Sequence, residues 1–231
     1  MRTRCLLAAS LLALAALPAD AAQKIGGATV VQRQVSGQVE GRTRALGTGD
    51  DVHQNEVIRT GAASAAELGF LDRTTLSVGA SAEVKLDRFV YDISGGARTV
   101  VMTAAKGVAR FVSGSGPSPA YQVRTPHATI GVRGTVFDVL VQRGRTVVVH
   151  GQGAIEVCPR LVRRSCEIVT LPGDVVIVTA SAILGPASAA SRALDVARLR
   201  SQLGGDTIAS LAPPAAPAAT GFFGKGKALP R

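Results

Sequence analysis

From Ala28 to Thr179 the chain alternates apolar and polar residues in short runs broken by Gly, Asp and Asn. The run "AAELGFL" places Ala66, Leu68 and Phe70 on one side. "TTLSVG" does the same with Leu76 and Val78, and "AEVKLD" with Val84 and Leu86 against Glu83, Lys85 and Asp87. A period of two is that of a half-buried strand. Turn-forming segments such as "RTGAAS", "SVGAS", "QRGRT" and "LPGD" recur about every ten residues, and helical periodicity is absent from this region. The pattern predicts an all-β fold, a β-sandwich or a β-solenoid-like roll of short antiparallel strands.

The flanks differ in kind. "MRTRCLLAASLLALAALPADAAQ" has two arginines, a short apolar run and a small-residue exit, which is the order of a secretory signal peptide over residues 1–22, cut after Ala21 or Ala22. The apolar run is far shorter than the ~20 residues that span a bilayer. The expected location is periplasmic, with no membrane span. Beyond the β domain, placed at 23–180, "PASAASRALDVARLRSQLGG" is rich in Ala, Leu and Arg, and a C-terminal helix is expected over 181–204. The Pro/Ala/Gly-rich remainder, 205–231, reads as a disordered tail.

The formal net charge is +10. Such a balance suits anionic partners, but the chain has no Trp and two Tyr, so base-stacking platforms are scarce and nucleic acid is not expected. Peptidoglycan or anionic lipopolysaccharide remains a partner class for a basic exported surface. Cys158 and Cys166, in "VCPRLVRRSCEIV", are expected to form a disulfide at a hairpin tip, because two close cysteines in an oxidising compartment pair most simply with each other.

Chemistry is thinly represented. His53, His127 and His150 do not fall at metal-ligand spacings, and the sequence has no H-E-x-x-H, G-x-S-x-G or G-K-[ST]. No catalytic residue, cofactor site or metal site is assigned, and the expectation is that the protein is not an enzyme.

The stretch "TPHATIGVRGTVFDV", Thr125 to Val139, reads instead as a structural corner. Pro126 removes a ladder donor and suits a strand entrance or edge. Gly131 and Gly134 bracket Arg133 and permit a bulge or sharp bend where another backbone passes. Val132, Phe137 and the following valines point inward. Arg133 shares the parity of Phe137, so its guanidinium would need a buried carboxylate, with Asp72 preferred over Asp138 and Asp87.

Thr125, Pro126, Ala128, Val132, Arg133, Gly134, Thr135 and Phe137 also carry a resemblance. The stretch resembles the signature of the FecR domain, T-P-x-A-x-x-x-V-R-G-T-x-F-x-V. Upstream, "GDDVHQNEVIRTG" and "LDRTTLSV" are similar to the family's opening turns and hairpin, and "LPGDVVIV" to its closing strand. The likeness covers about residues 47–179. It departs at Arg73, where the family usually carries glycine, which counts against a tight two-residue turn there. The resemblance implies a stand-alone exported FecR domain, without the anti-sigma segment or transmembrane helix of signalling members. Its expected role is non-enzymatic binding or scaffolding of another cell-envelope protein.

Overall fold

The protein is described by a computed structural model over residues 22–92, 94–114, 120–161, 165–188 and 201, without the side chains of Arg133 and Ser188. Every element whose bounds are described is a strand. Fifteen strands form one hydrogen-bonded sheet, and three long strands fold it into two layers by running through both.

In the first layer, β3 (Arg42–Ala45) pairs with β2 (Val35–Val39), and β2 with β5 (Val57–Thr60). Next come β8 (Glu83–Tyr91), the first half of β9 (Ala97–Val112) and β10 (Tyr121–Arg124). The layer continues through the first half of β11 (Ala128–Gln142) and the second half of β12 (Arg145–Pro159), and it ends at β13 (Glu167–Val169). In the second layer, β4 (Asp51–His53) pairs with β1 (Lys24–Gln32), then come β6 (Ala65–Phe70) and β7 (Thr75–Val78). The other halves of β9, β11 and β12 follow, then β14 (Asp174–Thr179) and β15 (Ile183–Ser188). All pairs are antiparallel except β9–β10, which is parallel.

Long strands can serve both layers only if they bend, and glycine supplies the bends. "RTVVMTA" and "GVARFVSG" read as two runs but form the single strand β9. Gly107, which opens the second run, has φ 80. A Cβ there would lie 2.5 Å from the Ala82 Cα, so only glycine permits this approach. After the bend β9 exchanges β8 and β10 for β7 and β11.

The side chains predicted to face inward meet between the layers. Leu68, Leu76, Val78, Val84 and Leu86 all belong to the main buried cluster. Aromatic pairs link the layers: Phe70 of β6 lies 4.8 Å from Phe89 of β8, and Phe111 of β9 lies 5.9 Å from Tyr121 of β10. A smaller cluster of Val108, Leu140, Val147, Val175 and Ile177 occupies the opposite face of the second layer.

The expected helix over 181–204 is corrected. Its first part is β15, which pairs with β14 from Asp174↔Ser188 to Val178↔Ile183. "ILGPAS" contains Gly185 and Pro186, both poor in a helix. The exposed backbone of β14 offers these residues a ladder instead, and Pro186 is tolerated because β15 is an edge strand. Residues 189–200 and 202–204 lie outside the described residues, as do the leader up to residue 21 and the tail 205–231. Among the described residues no helix is long and apolar enough to cross a membrane.

Candidate functional site

The family-like stretch begins with a closed corner. Thr125 to Ala128 form the turn between β10 and β11, with the Thr125 amide donating to the Ala128 carbonyl at 2.8 Å. Pro126 is exposed in the turn, at the position where its fixed φ helps. It stands in the turn itself and not at a strand entrance. The Thr125 hydroxyl oxygen accepts from the Ala128 amide at 2.8 Å and from the Thr146 hydroxyl at 2.9 Å, and it donates to the Ala128 carbonyl at 3.2 Å. Thr125, Ala128 and Thr146 are fully buried. Because Thr146 spends its proton on Thr125, its oxygen accepts from His127 Nδ1–H at 3.1 Å. Desolvation holds the half-buried His127 imidazole below its ordinary pKa.

Further along β11 the expected bulge is present. Pairing with β12 shifts register between Arg133 and Val136, and Gly134 has φ 59. The reason lies across the ribbon, where Gly153 has φ 83 and a Cβ on it would lie 2.0 Å from the Gly134 carbonyl oxygen. Gly131 takes no part in the bend: a Cβ there would meet nothing closer than 3.8 Å. Thr135 is buried, its amide donating to Ser113 Oγ at 2.8 Å and its carbonyl accepting from the Ser113 amide at 2.9 Å. Val132 and Phe137 lie in the main core, with the Phe137 ring tilted against Phe111 at 5.5 Å between centroids. The Arg133 side chain, and with it the expected brace to Asp72, lies outside what is described.

Asp72 is buried in the β6–β7 loop and reaches the same region through Tyr121, whose hydroxyl donates to Asp72 Oδ2 at 2.8 Å. Oδ2 also accepts from Thr74 Oγ1 at 2.6 Å and Oδ1 from the Thr74 amide at 3.1 Å. Since Tyr121 pairs with Val132, Asp72 sits one strand from the motif. The loop is a three-residue hairpin turn closed by Arg73 N to the Phe70 carbonyl and Phe70 N to the Thr74 carbonyl, and Arg73 takes φ 69. A side chain therefore occupies a left-handed position suited to glycine. Of the two other carboxylates, Asp138 accepts a two-pronged bond from Arg110 at 2.6 and 2.9 Å, which holds that guanidinium above its ordinary pKa. Asp87 accepts from Thr103 Oγ1 and pairs with Lys85 at 3.1 Å.

Cys158 and Cys166 form the expected disulfide, joining the end of β12 to the start of β13. Glu156 stands beside both sulfurs. With the sulfurs bonded to each other, that cluster offers no thiolate to a metal. His53 and His150 are apart from it: His53 lies 3.4 Å from Glu56, and His150 Nδ1 lies 3.0 Å from the Leu171 carbonyl.

Two features escaped the sequence reading. Glu56 is fully buried, accepting from the His53 amide at 2.9 Å and from Arg44 Nη2 at 3.0 Å. Arg44 also donates to the Asp51 carbonyl, so β3 of one layer is tied to β4 of the other. Gly37 makes room, since a Cβ there would lie 1.9 Å from Glu56 Oε1. The second feature is the outward side of β10. Tyr121 and Val123 point inward, which turns Gln122 and Arg124 outward. They line two adjoining depressions, one reaching Thr129, Pro159 and Arg160, the other Asp87, Arg88 and Val101. The signal was present as parity in "YQVR".

No curated protein matches the sequence. Two crystal structures are similar in fold, both described as a "putative anti-sigma factor" from Parabacteroides distasonis ATCC 8503, one at 1.65 Å and one at 2.50 Å. Each is 17% identical, with TM-scores of 0.46 and 0.45; the matches cover 62% of this chain and 74% and 73% of the other chains. The span from the buried Glu56 to Glu156 beside the disulfide, residues 56–156, matches the family model described as "FecR protein", and the protein has a FecR-domain-like fold.

Proposed function

We propose that the protein is an exported, non-enzymatic FecR-type module that binds or scaffolds another cell-envelope protein in the periplasm. The observation that carries this reading is the family match over residues 56–156. The way the matching side chains are used supports it. The hydroxyls of Thr125 and Thr146 and the carboxylates of Asp72 and Glu56 are buried and spent on hydrogen bonds that hold turns and layers together. A nucleophile or general base needs an approach for substrate, and these groups have none. The surface is what such a domain has to offer a partner.

The test is photo-crosslinking in intact cells, followed by identification of captured proteins and N-terminal sequencing of the exported chain. Capture of a periplasmic or outer-membrane protein, with a mature end at Ala22 or Gln23, supports the reading. Capture of cytoplasmic proteins alone, with the leader retained, overturns it. A second reading, a binder of peptidoglycan or anionic lipopolysaccharide, is favoured by the exposed Arg88, Arg124 and Arg160. Binding led by charge alone weakens steeply with ionic strength, whereas a shaped protein contact does so less.

A further inference from the structure

We infer that the outward face of the first layer, from β8 to β12, is a docking shelf for an acidic, extended polypeptide segment of the partner. This rests on the protein-binding reading above and names the site and the partner's chemistry. Strand pairing builds the shelf from two rungs. In one, Arg88 stands opposite Val101, Val101 opposite Gln122, and Gln122 opposite Gly131. In the next, Lys85 stands opposite Thr103, Thr103 opposite Arg124, and Arg124 opposite Thr129. Continued to Glu156, opposite Gly131, and Cys158, opposite Thr129, the rungs cover four strand spacings, a width of about 19 Å, too long for one small anion and suited to a chain with repeated charges.

The relief is a trough with cationic walls. The nearly buried Val101 forms its low floor, Gly131 opposite Gln122 adds no side chain, and Arg88, Arg124 and Arg160 rise exposed around it. Gln122 Oε1 accepts from Arg124 Nε at 2.8 Å. That bond occupies the amide oxygen, and it leaves the amide NH2 group and the outer guanidinium nitrogens of Arg124 for carboxylates. Among the described residues, the carboxylates on the shelf are Asp87, already held by Lys85 and Thr103, Glu83, paired with Arg59 at 3.1 Å, and Glu156, opposite Gly131 and beside the disulfide. Positive charge therefore prevails on the side of β8 and β10. The apolar floor and the exposed Leu161 and Ile168 at its disulfide end suit the side chains of a polypeptide better than a bare run of phosphates.

The test uses the exported full-length chain and a fluorescent ten-residue peptide of alternating Glu and Ser, at physiological salt. A Gln/Ser counterpart and phosphatidylglycerol vesicles are run beside it. The acidic peptide is expected to bind at least about tenfold more tightly than the Gln/Ser peptide. Arg88→Glu/Arg124→Glu should lose about tenfold or more, while Arg33→Glu/Arg42→Glu, with the same charge change away from the shelf, loses less than about threefold. Equal losses in the two variants, binding to vesicles without binding to the peptide, or no peptide binding each overturn the shelf. Photo-crosslinking separates this failure from failure of the parent reading. Capture of an envelope protein from a photoreactive residue at Thr43 but not at Gln122 removes the shelf and leaves the binding function. Capture from neither position removes both.

Discussion

The Thr146 hydroxyl donates to Thr125 Oγ1 at 2.9 Å, joining the start of β12 in one layer to the β10–β11 corner in the other. The two residues stand beyond opposite ends of β11, which must bend at Gly134 for them to meet. This bond is therefore a closure of the folded sheet and more than a local turn contact. Both side chains are fully buried, so losing the Thr125 hydroxyl strands the Thr146 proton, and losing the Thr146 hydroxyl takes the acceptor from His127 Nδ1.

Thr146→Val should accordingly destabilise the protein by about 1–3 kcal/mol. For a domain of this size that is a fall in Tm of roughly 3–10 °C. Thr125→Val should cost at least as much, because it also releases the Ala128 amide. In a double-mutant cycle the two should couple by about 0.5 kcal/mol or more. Additive losses would show that the contact does not close the layers.

His127 gives the corner a pH dependence. Its folded pKa lies below the ordinary imidazole value because of desolvation, so the unfolded chain takes up the proton first. The stabilising contribution is thus present above the unfolded pKa near 6.5 and is lost as pH falls from there through the folded pKa. Thermal melts of the wild type and His127→Gln between pH 7.5 and about 5 should converge as the pH drops. A constant gap between the two would remove His127 from the pH response.

Much of this fold could be read from parity and turn chemistry. Leu68, Leu76, Val84 and Leu86 are buried as alternation requires, and Cys158 and Cys166 pair as their spacing and the expected compartment imply. What parity could not tell was whether a glycine ends a strand or bends it. Gly107 bends β9, and that one difference turns a string of hairpins into two layers sharing strands. The Thr125 corner was legible, but its partner Thr146 was not, because their meeting depends on the bend. Glu56 was passed over for the same reason: its burial is made acceptable by Arg44 on another strand and by space left at Gly37. The segment 183–188 was misread because Ala-rich surroundings outweighed Gly185 and Pro186, while the free edge of β14 decided the matter.

Arg73 holds φ 69 in the β6–β7 loop, where an L side chain is strained. Its neighbours Asp72 and Thr74 hold the loop in place through buried hydrogen bonds, so the conformation is imposed and not chosen by Arg73. Arg73→Gly removes the strain at some cost in unfolded-state entropy. The net expectation is a stabilisation of about 0.5–1 kcal/mol, or some 1–4 °C in Tm. A lower Tm would mean that the Arg73 side chain itself contributes to the fold.

Replacing both Cys158 and Cys166 with serine opens the loop between β12 and β13. Loop-closure entropy gives an expected loss of about 2.5 kcal/mol, and a reducing agent should reproduce the drop in Tm in the wild type. Chelators should leave the melt unchanged, because the sulfurs are committed to each other. A chelator-sensitive melt would assign the pair, with Glu156, to a metal.

The bend in the β11–β12 ribbon offers the sharpest contrast between neighbouring glycines. Gly153 has φ 83, and a Cβ on it would fall 2.0 Å from the backbone oxygen of Gly134. Gly131, a few residues along β11, has ordinary space around it, with nothing closer than 3.8 Å. Gly153→Ala must move backbone in both strands and so should cost about 2–4 kcal/mol or prevent folding altogether. Gly131→Ala should be nearly neutral, or slightly stabilising, because alanine restricts the unfolded chain. Comparing the two by urea denaturation isolates the bend from the general cost of adding a methyl group. If both variants lose stability equally, the two layers do not depend on the Gly134–Gly153 contact, and the long-strand account of the fold fails with it.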